Sequence, residues 1–225
     1  MENDEVEIVE MYCDPDVGMV RDLGWDEHGF EDFRMVAIDT IGDGNCYFHA
    51  VTHAFYIPYR TQTLDGRTIS RRQIVRDLRD SLAKRLGEPV DPLNPSGATF
   101  YNELSRGKLQ EFGREVPEYS FQEMRKRLRS NDAVGNEYNE FVSDQLSKDI
   151  YILDGNREDV YITGNDDDLL YKNRPSIVLL YYPGHYELIG IRDSNGNIQT
   201  YFSPSHPFIR FVSARMDQVR ASTPS

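Results

Sequence analysis

One change of hydrophobic period, near residue 150, sets what this chain can fold into. Upstream, apolar residues recur at helical spacing. Phe48, Val51, Ala54 and Phe55 follow Cys46 until Pro58 interrupts, and Ile74, Leu78, Leu82 and Leu86 form one stripe behind Ser70, a candidate helix cap, with Gly87 and Pro89 closing it. Prolines and Gly97 make residues 88–99 a loop. Two or three helices are expected over 100–147, where Ser120 and Glu123 have capping-box spacing and Tyr138, Phe141, Val142 and Leu146 share a face. Downstream, Ile150–Leu153 and Val160–Ile162 read as strands around the turn Asp154-Gly155-Asn156. Ser176–Tyr182 and His185–Ile191 form a hairpin at Pro183-Gly184, and Asp193–Asn197 reverses the chain into Ile198–Phe202. Near the start, Val36–Ile38 is a short buried strand, and the turn formers Ile41-Gly42-Asp43-Gly44-Asn45 place a helix start at Cys46. Helices first and an antiparallel sheet last is an α+β layout.

The 225 residues, 39% of them hydrophobic, suit one domain with extensions. With 25 Lys+Arg against 38 Asp+Glu, a net charge of −13 argues against a chain that grips nucleic-acid phosphate or anionic lipid; a basic protein partner suits it better. No apolar run approaches the ~18 residues a membrane span needs, so no membrane partner is expected. The opening MENDEVEIVE lacks the basic leader and apolar run of a secretory signal. Cys13 and Cys46 are too few for a disulfide framework; free thiols fit a reducing compartment, so a cytoplasmic or nuclear location is expected. Residues 1–35 are acidic and poor in apolar residues until Val20, Leu23, Trp25, Phe30 and Phe33, which suggests a mobile start and then an arm packed on the domain.

A thiol at a helix start behind a glycine-bearing loop has two advantages: the helix dipole and unpaired N–H groups favour the thiolate, and those N–H groups can hold an oxyanion. Cys46 has both, although a free cysteine is more often a small buried hydrophobe. A nucleophilic thiol needs a base and the base an orienting partner. His185 and Glu187, two apart on a strand, point to the same face. Taken singly, each reads equally as an ordinary hairpin residue.

The segment Gly42-Asp43-Gly44-Asn45-Cys46-Tyr47-Phe48-His49-Ala50 resembles the cysteine box of the ovarian-tumour (OTU) cysteine proteases, which are deubiquitinases, and His185-Tyr186-Glu187 resembles their histidine box. The resemblance implies a papain-like OTU fold over about 36–203, a central mostly antiparallel sheet packed between helices, with 1–35 as an acidic arm and 204–225 as a tail. It also implies that Cys46 is the nucleophile, His185 the general base and Asp43 the residue that shapes the oxyanion loop. Glu187 takes the histidine-orienting position, where the family more often has Asp or Asn, so a further residue could share that role. No cofactor is implied. The implied partner is ubiquitin, polyubiquitin or a ubiquitin-conjugated protein, cut by a monomer, in the host cytoplasm if the chain is a viral or bacterial effector. A silent ubiquitin-binding module of the same fold, and a Cys/His hydrolase of small amides, stay open at this point.

His49 and His53 lie on the Cys46 helix and are expected to pack rather than act as bases. No metal is expected: Cys13 and Cys46 have no zinc spacing, and Asp166-Asp167-Asp168 lacks the calcium-loop pattern. Arg71, Arg72, Arg76 and Arg79, and Arg125 to Arg129, are expected to be solvated faces. Tyr47 and Tyr186 are candidate walls of a narrow channel, or plain aromatic packing.

Overall fold

The computed structural model describes residues 7–8, 19–162 and 167–222. Its strands are β1 (Glu7–Ile8), β2 (Val20–Asp22), β3 (Met35–Ile38), β4 (Thr63–Leu64), β5 (Arg67–Thr68), β6 (Asp149–Asp154), β7 (Asp159–Val160), β8 (Ser176–Tyr182), β9 (His185–Arg192) and β10 (Ile198–Gln199). Its α-helices are α1 (Cys46–Phe55), α2 (Ile57–Thr61), α3 (Arg71–Arg85), α4 (Phe100–Glu103), α5 (Lys108–Glu115), α6 (Phe121–Arg129), α7 (Asn139–Leu146), α8 (Asp167–Leu170) and α9 (Pro207–Ser222).

One sheet runs in the order β1-β10-β9-β8-β6-β7, with β3 paired to β9 and β2 to β3. Only β6 and β8 run parallel, through a crossover that residues 155–175 supply; the other pairings are antiparallel. Both faces of the sheet are covered, and the period-two alternation of β8 shows it. Ile177 and Leu179 enter one core with Phe48, Val51, Leu82 and Phe141, whereas Val178 and Leu180 enter another with Trp25, Phe30, Phe208 and Val212. The sheet is therefore packed between helices, with α1 on the face of the first core.

Ser70 caps α3 as its position suggested, accepting from the Gln73 N–H. Ser120 likewise caps α6, but the reciprocal capping box forms at Thr99 and Asn102. Residues 100–146 hold four helices instead of two or three, because short turns at Gly107 and Pro117 break the stretch. The chain beyond 203 is more than a tail: α9 buries Phe208, Ile209, Val212 and Met216 against the second core. There Phe211 meets Phe30 edge-on at 4.9 Å, and Phe30 in turn meets Trp25 at 5.0 Å, so the arm and α9 close this face together. Of the expected mobile start, Glu7–Ile8 is described and is paired to β10 as β1; residues 1–6 and 9–18, Cys13 among them, lie outside the described residues. No helix among those described is long and apolar enough to cross a membrane.

Candidate active site

Cys46 is the first residue of α1 and is nearly buried. The loop before it is held from several sides. Gly44 adopts φ +82°, and a Cβ there would collide with the Asn131 carbonyl, so glycine is required twice over. The Asp43 carboxylate accepts from the Asn45 N–H at 3.1 Å and from Asn45 Nδ2 at 3.2 Å, while Arg79 Nη1 donates to Asn45 Oδ1 at 2.5 Å. Burial on its own would raise the Asp43 pKa, but the His49 and Asn45 contacts outweigh it and hold the carboxyl below its ordinary range.

The histidine comes from the other end of the chain. Pro183-Gly184 turns β8 into β9, and His185 is the first residue of β9, half-buried. Because α1 packs on the sheet beside β9, thiol and imidazole come close enough for each to shift the other's pKa. Nε2 of the ring faces carboxylates, Asp39 Oδ1 at 3.3 Å and Glu187 Oε1 at 3.8 Å, which leaves Nδ1 available to the sulfur. The neighbouring Cys46 thiol, against the opposing effect of burial, raises the His185 pKa. Burial alone pushes the thiol up, but the neighbouring His185 ring and the Tyr186 and Tyr47 backbone N–H groups overcome it, so the Cys46 pKa falls below its ordinary value. Opposite shifts in the two partners favour a thiolate–imidazolium pair.

Asp39 and Arg21 carry no sequence signal of their own. Asp39 directly follows β3, the strand beside β9, and Thr40 Oγ1 staples this point to the Tyr186 carbonyl at 2.6 Å. Arg21, on β2, donates to both Glu187 oxygens, at 2.8 and 2.5 Å. Glu187 is thus buried and clamped on its far side, while Asp39 lies nearer the ring. Ligand atoms of Asp39, His185 and Glu187 fall within 4.8 Å of one another, a spacing compatible with a cation, but the Arg21 guanidinium already occupies both Glu187 oxygens.

A cleft of about 260 Å³ opens at the thiol, lined by Cys46, Gly135, Asn136, Glu137, Tyr181 and Tyr186. Tyr186 is therefore one of its walls. Tyr47 is not: it is buried, its hydroxyl donating to Asn139 Oδ1 at 2.9 Å. A larger apolar cavity, 330 Å³, lies at the opposite end of α1 among Phe55, Tyr56, Ile74 and Leu78, far from any reactive group.

Two of the arginines expected on solvated faces are buried. Arg79 is 2% exposed and donates to the carbonyls of Leu128 at 3.1 Å, Asp132 at 2.9 Å and Arg127, while Arg71 Nε bonds the Tyr59 carbonyl at 2.9 Å. A guanidinium's five donors let it cross-link carbonyls inside a core that one lysine could not. The stripe Arg71, Val75, Arg79, Leu82 carried this signal in its spacing.

A thiol at a helix start, opposed by a histidine on a central strand, is the papain-like arrangement. In structural comparison the chain superposes on an OTU domain solved in complex with ubiquitin, with a TM-score of 0.51 and 19% identity over 85% of this chain and 87% of that one. The OTU domain of OTUD1 (TM-score 0.40, 19% identity, 69% and 85% covered) and the OTU protease of Farallon virus (0.40, 13%, 84% and 98%) are more distant. No protein-family model and no curated protein sequence matches the chain. Its fold is that of an OTU domain, and the two segments that resemble the OTU boxes are the ones that meet at the cleft.

Proposed function

We propose that the chain is a cysteine-dependent deubiquitinase, an isopeptidase that cuts after the C-terminal glycine of ubiquitin or a ubiquitin-like modifier. The observation that supports it most is the approach of the Cys46 thiol and the His185 imidazole, each shifting the other's pKa, beside a cleft that Cys46 lines, in a fold shared with an OTU domain that was solved with ubiquitin.

In this reading the Cys46 proton resides on His185, and the thiolate attacks the carbonyl carbon of the terminal glycine. The Asp43 N–H is occupied by the Ile41 carbonyl and the Asn45 N–H by Asp43, so in this reading the N–H groups of Gly44 and Cys46 hold the oxyanion. As the C–N bond breaks, His185 returns the proton to the leaving lysine amine. Water, deprotonated by His185, then attacks the thioester, and the thiol and a free carboxylate form. Asp39 holds Nε2 by a hydrogen bond, and Glu187, 3.8 Å away, adds its charge to stabilise the imidazolium. Glu137, in the cleft, supplies an acid for the arginines of the ubiquitin tail.

A ubiquitin probe with a C-terminal electrophile tests the proposal: it should form one covalent adduct with the wild type and none with Cys46→Ala. An unlabelled wild type, or equal labelling of the variant, would overturn the assignment. Comparing a panel of diubiquitins with small peptide amides then separates an isopeptidase from a small-amide hydrolase.

A further inference from the structure

Two histidines sit one turn apart on α1, both buried, and they differ in one respect. Among the described residues His53 has no hydrogen-bond partner on either ring nitrogen, and its ring lies tilted beside Tyr59, with ring centroids 5.4 Å apart; it is packing, as expected of both. His49 is 0% exposed yet satisfied on both sides, Nδ1 lying 2.8 Å from the Tyr59 hydroxyl and Nε2 3.3 Å from each oxygen of Asp43.

That environment allows one tautomer. A carboxylate only accepts, so Nε2 carries the proton and donates to Asp43; Nδ1 then accepts from the Tyr59 hydroxyl. Burial, against the attraction of Asp43, lowers the His49 pKa and keeps the ring neutral. The chain of contacts continues outward, since Asp43 receives the Asn45 N–H and Arg79 grips the Asn45 side chain. Fixing the Asn45 N–H fixes the plane of the Gly44–Asn45 peptide, and with it the direction of the N–H groups on either side.

We infer that His49 is a positioning residue which, set by Tyr59, holds Asp43 so that the loop before Cys46 keeps its backbone N–H groups aimed at the oxyanion. The inference rests on the proposed function only for what those N–H groups bind. A direct oxyanion donor is worth about 10²–10³ in turnover, and a residue one step behind it should be worth roughly tenfold.

The test separates oxyanion stabilisation from thiolate formation. Alkylation of Cys46 by iodoacetamide needs a thiolate and no oxyanion hole, whereas cleavage of a ubiquitin C-terminal aryl amide needs both. His49→Phe should lower kcat about tenfold with KM and the alkylation rate within about twofold of wild type. His49→Gln, whose amide nitrogen can reach Asp43, should recover most of the loss. Tyr59→Phe, which removes one oxygen, should show a smaller loss of the same kind, and His53→Gln none. A kcat that stays put in His49→Phe, or that falls only in step with alkylation, overturns the inference. Amide hydrogen exchange at Asn45 decides it independently of substrate: it should quicken in His49→Phe and Tyr59→Phe and not in His53→Gln. A wild type inert toward ubiquitin would remove the proposed function, while unchanged exchange would remove the positioning role.

Discussion

The cysteine side of the site is buried and braced, whereas the histidine side stands partly in solvent. Asn45 and Arg79 are 6% and 2% exposed, against 33% for the His185 side chain, 46% for Asp39 and 43% for Arg21. Under the proposed function, the difference follows from what each half would do. Backbone dipoles aimed at a developing charge act most strongly when fixed in a water-poor setting. A ring that takes a proton from sulfur and delivers it to a departing amine has to stay reachable. Rigidity and access are thus divided between two segments that the fold brings together from distant parts of the sequence.

The comparison breaks most visibly if the brace is removed. Arg79→Met would leave the carbonyls of Arg127, Leu128 and Asp132 and the Asn45 amide oxygen without their donor inside the core. Stranding buried acceptors should cost about 3 kcal/mol or more, which for a chain of this size lowers Tm by roughly 6–12 °C, measured by calorimetry. A drop below about 2 °C would mean that the thiol side is no more braced than the rest of the surface.

The pH dependence of thiol alkylation sharpens the same contrast. With the Cys46 pKa lowered and that of His185 raised, the thiolate persists as pH falls below the ordinary thiol value and is lost only through the lowered pKa. In His185→Ala the main opposing influence disappears and burial remains, so the alkylation midpoint should move upward past the wild-type value. Each unit of that shift reduces the rate at neutral pH about tenfold. Coincident profiles for the two proteins would show that the ring does not influence the sulfur.

Local chemistry was legible in the sequence, and long-range assembly was not. Ser70, Pro183-Gly184 and the turn formers before Cys46 act on immediate neighbours, so the helix starts, the hairpin and the place of Cys46 at a helix start could be read directly. The spacing of Phe208, Ile209, Val212 and Met216 is that of a helix face, a local signal equally present in the sequence. Asp39 and Arg21 are different. They reach their partners across 146 and 166 residues, by way of β2 pairing β3 and β3 pairing β9, and nothing in a lone acid or a lone arginine announces a strand neighbour. Arg79 lay between, its burial visible in the helical stripe but obscured by the rule that charges face water.

The smallest expected effect concerns how the two carboxylates share the ring. Asp39 is nearer to Nε2, but it is half-exposed and its Oδ1 also accepts the Thr40 N–H at 2.8 Å. Glu187 is farther and buried, and Arg21 takes both its oxygens, which offsets its charge while fixing its place. Neither is in sole command of the imidazole. Asp39→Asn and Glu187→Gln should therefore each lower kcat only about three- to tenfold, far less than His185→Ala, because an amide oxygen can still accept from Nε2–H. Since both contact one atom, their effects should not add, and a double-mutant cycle on kcat should show coupling of roughly 0.5–3 kcal/mol. If Glu187→Gln alone cost as much as the pair, Asp39 would be a bystander brought close by its strand; strict additivity would instead mean that the carboxylates act on different steps.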